Sequence, residues 1–215
     1  LERYEILQML KNPAIREMIK REFRNNLLSW AGDFSKVYVL GRARTLEEEA
    51  ILRGVEPAEA ALQLIEEEPI VFLSSEFTEP YVLDMFLSQP FMMVSASAGA
   101  LADWRSIRSM VHPRFFGAYQ KFMGEYVRQK GLFALATAIH KCTGMIAQLL
   151  GIEKRGFIKE GYFADIVVFD PETIGHDGTP LMPDILPTGI VHVLVNGKFV
   201  MKNGKLIKYS RKDDI

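Results

Sequence analysis

The sequence predicts an α/β fold, and three observations carry that prediction. Short apolar strands alternate with amphipathic helices over residues 36–94, which favours a parallel sheet with crossover helices over an all-α or all-β domain. Further on, Arg155–Asp170 carries the run Ile166-Val167-Val168-Phe169, with Gly156 and Gly161 before it and Asp165 and Asp170 at its ends. A β-branched run fenced by turn formers reads as a strand buried on both faces. Finally, Asn196-Gly197 and Asn203-Gly204 each follow an apolar run. They predict type I′ hairpins, because both central residues of that turn need positive φ.

In chain order, Asn12-Pro13 starts a helix, with Asn as N-cap and Pro at the first helical position. Ile15, Met18, Ile19 and Phe23 fall on one face. Lys36–Leu40 is a short strand. Thr45 and Glu48 form a capping box for a helix ending near Gly54. Pro57 opens another helix with Ala61, Leu62 and Ile65 on its buried side. Ile70–Leu73 is a second strand, and Thr78-Glu79-Pro80 starts a helix bearing Val82, Leu83, Phe86 and Leu87. Phe91–Val94 is a third strand.

Residues 95–118 read as a long irregular stretch after that strand's carboxyl end, and such loops are frequently functional. A helix carrying Phe122, Met123, Tyr126 and Val127 follows, then one from about Phe133 to Leu150 that stops at Gly151. Gly175–Pro187 is expected to be a surface loop, and Ser210–Asp214 a charged, frayed tail.

Composition narrows the function classes. With 48% hydrophobic residues and net charge −1, neither disorder nor a nucleic-acid partner is indicated. Cys142 is the only cysteine, which excludes an intramolecular disulfide and a cysteine-cluster metal site. No apolar run reaches membrane-spanning length and no signal peptide is visible, so no membrane partner and a cytoplasmic location are expected. The chain opens at Leu1, without methionine and inside an apparent helix. It reads as a piece of something longer.

The pattern Gly-x-Ile-x-x-Gly-x-x-Ala-Asp-Ile-Val-Val-Phe-Asp within Arg155–Asp170, with the hairpin at Val193–Val200, resembles the signature of the amidohydrolase superfamily. Three further stretches are similar to the C-terminal part of N-acyl-D-amino-acid deacylases (D-aminoacylases). Thr45–Ile65 resembles their helical insert. His112-Pro113-Arg114, Phe116-Gly117 and Tyr126-Val127-Arg128 resemble the loop after the last barrel strand. Leu135–Gly151, with Thr137-Ala138, Lys141 and Thr143, resembles the helix leading into their β-domain.

The resemblance runs from roughly Leu10 to Lys205. It implies that 1–150 is the last part of a (β/α)8 catalytic barrel, with an insert at about 24–68. Residues 151–215 would then belong to a small antiparallel β-domain.

Such enzymes hydrolyse an N-acyl-D-amino acid to a carboxylate and a D-amino acid. The resemblance implies zinc in the complete enzyme, where a metal-bound water is the nucleophile. It also implies an aspartate at the end of the last barrel strand that relays the proton.

Neither feature is intact here. The family ligands are a His-x-His pair, a cysteine and two further histidines from earlier strands, whereas His112, His140, His176 and His192 are scattered. No metal is expected on this chain alone. His140, His176 and His192 are assigned structural or solvated roles, and Cys142 that of a small core residue. Where the family places its aspartate, an ungapped match puts Ser97, and a register shifted by one puts Ala98. Neither can act as a base near neutral pH. An engineered change, a naturally silent homologue and a register slip all account for this. Asp103, the nearest carboxylate, is assigned to the surface.

By resemblance Arg114 is the substrate-binding residue, pairing with the α-carboxylate. A planar guanidinium suits a carboxylate through two parallel hydrogen bonds. An arginine tying the loop to the barrel is the competing role. Pro113 would fix the backbone there and His112 would hold the loop. Met93, Trp104 and Phe115 are acyl-pocket candidates by position.

Two functional readings follow. In one, the chain is the C-terminal part of a zinc-dependent deacylase whose partner is the missing N-terminal barrel half. In the other, it is a catalytically silent homologue serving as a structural or partner-binding subunit. A cyclic-amide hydrolase of the hydantoinase or dihydroorotase type is disfavoured by the helical insert and the His-Pro-Arg loop.

Overall fold

The computed structural model describes residues 2–75, 78–99 and 111–207. The chain divides into two compact units. Of the described residues, unit 1 takes 2–75, 78–79, 111–112 and 179–184, and unit 2 takes 80–99, 113–178 and 185–207. Trp104, Asp103 and the tail Ser210–Asp214 lie outside the described residues.

Unit 1 is built largely by local chemistry. Helix α1 (Arg3–Leu10) is followed by α2 (Pro13–Ala31), which starts where Asn12 Oδ1 accepts the Ala14 N–H at 3.0 Å. It ends at Gly32, whose φ of 72° is left-handed. Strands β1 (Val37–Val39) and β2 (Arg44–Thr45) precede α3 (Leu46–Arg53). The α3 capping box is closed in both directions: Glu48 N–H donates to Thr45 Oγ1 at 3.2 Å, and Thr45 N–H to Glu48 Oε2 at 2.8 Å. Then come α4 (Pro57–Glu67) and β3 (Leu73–Ser75). Val37, Val39, Leu46 and Leu64 form the fully buried centre. Leu64 rather than the predicted Ile65 goes inside, because Ile65 turns partly to solvent.

The parallel sheet is not what forms here. Strand β1 pairs antiparallel with both β2 and β3, in the order β2-β1-β3. The predicted second strand lies a few residues late, and Ile70 stays 56% exposed. Around this core, Arg42 and Arg53 hold Glu67, and both reach the buried Glu49 at 3.0 and 2.9 Å. The half-exposed pairs are each worth at most about 1 kcal/mol. Glu49 is different, because a carboxylate inside a protein survives only when paired.

Unit 2 opens with α5 (Pro80–Ser88). The predicted third strand, Phe91–Val94, is not a strand. The carbonyl of Met92, which a ladder would use, instead accepts from the Lys141 ammonium at 3.0 Å, and the Val94 N–H donates to the Lys141 carbonyl at 3.2 Å. Helix α6 (Arg114–Lys121) continues as a π-helical segment, Phe122–Gln129. The single helix expected over 133–150 is broken at Thr143 into α7 (Leu135–Cys142) and α8 (Gly144–Leu150). The Thr143 hydroxyl donates to the Ile139 carbonyl at 2.7 Å, and a Cβ on Gly144 would lie 2.5 Å from Phe157 Cζ. The absent Gly144 side chain is what admits that ring.

The remaining strands, β4 (Ile166–Phe169), β5 (Ile190–Val195), β6 (Lys198–Lys202) and β7 (Lys205–Leu206), form one antiparallel sheet in sequence order. Asn196 and Gly197 have φ of 50° and 81°, and Asn203 and Gly204 of 50° and 71°. Both turns thus have the positive φ that Asn-Gly predicts. Strand β4 corrects one expectation. It lies at the sheet edge, with Val167 52% and Val168 43% exposed, and is not buried on both faces.

Candidate functional site

The two aspartates that close the signature run do structural work. Asp165 accepts the Asn196 N–H at 2.8 Å and pairs with Arg155, whose guanidinium lies 4.1 Å from the Phe163 ring centre. The Asn196 N–H first, then Arg155, holds the Asp165 carboxyl below the usual carboxylate range. Asp170 accepts the Glu172 N–H at 2.9 Å and the Thr173 hydroxyl at 2.8 Å, turning the chain after β4. The motif therefore clips the first hairpin turn and the β4 exit. It is not a reaction centre.

The turn after β4 is locked onto α6 and its π-helical continuation. Arg128 Nη1 donates to the carbonyls of Pro171 at 3.1 Å and Ile174 at 2.5 Å. A Cβ on Gly124 would lie 2.7 Å from the Ile174 carbonyl oxygen. One helical face further up, a Cβ on Gly117 would lie 2.2 Å from His176 Cγ. Gly117 interrupts the helix with a non-helical φ of −152° and Gly124 lies in the π-helical segment, so each glycine makes its own close approach to the 174–176 stretch.

His176 itself is 7% exposed, against the expectation of a surface loop at Gly175–Pro187. Gly175 and Thr188 close the base of that loop in a bridge, and the His176 ring reaches the Ile185 carbonyl near its far end.

Arg114 begins α6 directly after the buried Pro113, with its side chain exposed. Ser97 and Ala98 lie in an exposed, irregular segment, where the Ala98 N–H bonds to the Ala96 carbonyl at 2.8 Å. Met93 and Phe115 are half-buried.

Sequence reasoning gave Lys141 no role. It is 2% exposed, and its ammonium donates to the carbonyls of Leu87 at 3.1 Å, Met92 at 3.0 Å and Gln89. These are the last carbonyls of α5 and the start of the segment that runs to Ser97.

A cleft of about 620 Å³ opens within unit 2, lined chiefly by Met123, Ile139, Phe157, Phe163, Val167 and Ile190. His140 and Cys142 also border it, while Ser97 and Arg114 do not. His140 lies against Phe157 with ring centres 6.0 Å apart. Asp165 is already committed to the Asn196 N–H and Arg155. The cleft can accept apolar groups, but it assembles no acid, base and nucleophile.

Burial pushes the Cys142 thiol up to about 12, so almost no thiolate forms near neutral pH. Iodoacetamide at pH 8 should label it at least ~100-fold more slowly in the folded protein than in urea. Equal rates by mass spectrometry would show the thiol to be accessible.

No group of three or more His, Cys, Asp or Glu among the described residues could hold a metal ion. His192 Nδ1 accepts the Asn203 N–H at 3.2 Å and His176 Nε2 meets the Ile185 carbonyl at 2.8 Å, so these two histidines have backbone partners. The described residues do not fit a zinc site. Among them, no helix is long and apolar enough to cross a membrane.

Comparison with known proteins places these features. Residues 96–201 match the amidohydrolase family. A D-aminoacylase of Alcaligenes xylosoxydans xylosoxydans is 34% identical over 171 residues, 80% of this chain and 32% of the relative. An N-acyl-D-aspartate deacylase of the same organism is 30% identical over 192 residues, 87% of this chain and 36% of the relative. Among solved structures, the N-acyl-D-glutamate deacylase of Bordetella bronchiseptica, complexed with zinc and a phosphonate inhibitor, superposes with a TM-score of 0.66. Its identity is 26%, over 80% of this chain and 36% of that one. The chain thus spans about a third of the length of the relatives it matches.

Proposed function

This chain belongs to the amidohydrolase family, in the branch of the N-acyl-D-amino-acid deacylases, and from that premise we propose that it is the C-terminal part of such a deacylase. The whole enzyme would cleave the amide of an N-acyl-D-amino acid to a carboxylate and a D-amino acid. The observation that carries the reading is the 34% identity over 80% of this chain, set beside the 32% of the relative that it covers. What the chain would bring is an anchoring guanidinium, Arg114, and the segment that ends at Ser97. What a partner would bring is the metal and its ligands. No catalytic step is assigned to the chain alone, since Ser97 and Ala98 offer no base.

The second reading, a silent homologue, draws support from those same two positions. Native mass spectrometry of the protein with whatever polypeptide co-purifies separates the two. A deacylase half should carry zinc and a second polypeptide. In that assembly Ser97→Asp should increase release of D-amino acid from N-acetyl-D-amino acids. With that variant as background, Arg114→Lys should lower kcat/KM by about 100-fold, as loss of a bidentate carboxylate contact would. A lone 24.4 kDa chain without zinc, silent as Ser97→Asp too, would favour the subunit reading.

A further inference from the structure

We propose that His176 is a positioning residue for the turn that presents Arg114, acting as a strut between the 175–188 loop and the start of α6. The inference rests on the reading of Arg114 given above, but the geometry stands without it. The imidazole is 7% exposed, and a buried polar ring is costly unless its nitrogens are bonded. Nε2 lies 2.8 Å from the Ile185 carbonyl oxygen. A carbonyl can only accept, so Nε2 carries the proton and the bond fixes which way the ring faces.

With one end anchored, the ring is flanked by two glycines whose missing side chains leave it its place. A Cβ on Gly117 would fall 2.2 Å from Cγ and 2.5 Å from Cδ2, and a Cβ on Gly178 would fall 2.5 Å from Cε1. The same Gly178 Cβ would lie 3.3 Å from Pro113 Cβ, so the proline closes over the glycine that backs the ring. Gly117 N–H and Phe116 N–H both bond to the Pro113 carbonyl, at 3.3 and 2.9 Å. The first turn of α6 is therefore held from inside by the Pro113 carbonyl and from outside by His176. Arg114 is the residue between those two supports. A shift of the ring translates directly into a shift of the helix start, since packed interiors transmit displacement rather than absorb it.

The position requires both the volume of an aromatic ring and a donor at its far end. Alanine supplies neither, phenylalanine only the volume, and asparagine only a donor, on too short an arm.

Hydrogen exchange on this chain, read by mass spectrometry or NMR, tests the strut without any substrate. His176→Ala should speed exchange of the Phe116 and Gly117 amides at least tenfold while the β5 and β6 amides stay within twofold of the parent. His176→Phe should give a smaller change at the same two amides. Gly117→Ala should lower Tm on its own, and the pair Gly117→Ala/His176→Ala should recover part of that loss, because the ring that the new methyl strikes is gone. A purely structural histidine would instead raise exchange evenly across unit 2 or leave 116–117 unchanged, and either result overturns the proposal. So would a double variant no more stable than Gly117→Ala alone, a comparison that holds even if His176→Ala folds poorly. The carboxylate role of Arg114 is judged separately by the kcat/KM of its own variant. A failed Arg114→Lys test beside a positive exchange result would leave the strut standing and remove its purpose.

Discussion

Replacing Gly189 by alanine should destabilise unit 2 by at least ~4 kcal/mol and lower its thermal midpoint by roughly 10–20 °C. Two costs act together. Gly189 has φ of +82°, where an L-residue with a Cβ pays roughly 1–2 kcal/mol. The added Cβ would also lie 2.3 Å from Ile174 Cα and 2.4 Å from its nitrogen, and those are backbone atoms. They cannot step aside easily. The Ile174 N–H is bonded to the Asp170 carbonyl, the Gly189 carbonyl accepts the Asp170 N–H, each at 2.9 Å, and Arg128 grips the Ile174 carbonyl.

Gly197 is the control. Its φ is +81°, yet the nearest atom to an added Cβ is the Ala164 methyl at 3.9 Å. Gly197→Ala should therefore show only the torsional cost, roughly 1–2 kcal/mol. Calorimetry on the two variants separates torsion from collision. Equal losses would mean that the turn beside Ile174 yields without cost, and the tight packing of the 171–189 segment on the helix would then count for little.

What the sequence made legible divides along a physical line. Features fixed by one residue and its near neighbours were readable: the Asn12 cap, the Thr45–Glu48 box, the left-handed stops at Gly54 and Gly151, and both Asn-Gly turns. Each is decided within about four residues, so no knowledge of the rest of the chain is needed. Features that depend on a distant partner were not. The run Ile166–Phe169 is apolar enough for a central strand, but whether a second strand lies alongside is not written in it. Phe91–Val94 has strand propensity, and a lysine some fifty residues later takes the Met92 carbonyl instead. Alternation of helix and strand did not fix strand direction either, because β1 and β3 meet antiparallel.

The candidate site shows the same division. Arg114 was singled out by resemblance, yet the group supporting it, His176, sits in a polar stretch that reads as a loop. Its trace in sequence is a small residue it packs on, Gly117.

Lys141→Met should be the second large effect, costing unit 2 roughly 3–5 kcal/mol. Helix α5 ends with carbonyls that have no intrahelical donor, and an ammonium placed among them bonds them and opposes the negative end of the helix dipole. Lys141 does this from α7, reaching Leu87, Gln89 and Met92 at once. Burial pulls its pKa down, and the three carbonyl oxygens, with the Phe133 ring 5.2 Å away, supply what solvent no longer does. Methionine fills nearly the same space, so the loss isolates the polar contacts from the packing. It leaves the Leu87 and Met92 carbonyls without that donor, each worth about 1–3 kcal/mol if it stays dry, while the Gln89 carbonyl keeps the Met92 N–H at 3.2 Å.

Lys141→Arg keeps the charge on a bulkier head and should cost about half as much. Denaturant unfolding gives the magnitudes, and amide exchange at Val94, whose N–H bonds to the Lys141 carbonyl, gives the location. Were Lys141→Met to cost under about 1 kcal/mol, water would have to reach the Leu87 and Met92 carbonyls. The 89–97 segment would then be loose in the parent protein as well. In that event no substitution at Ser97 could place a base reliably, because the backbone carrying it would not be held. A large, localised loss means the opposite, that α7 holds the segment leading to Ser97 in place.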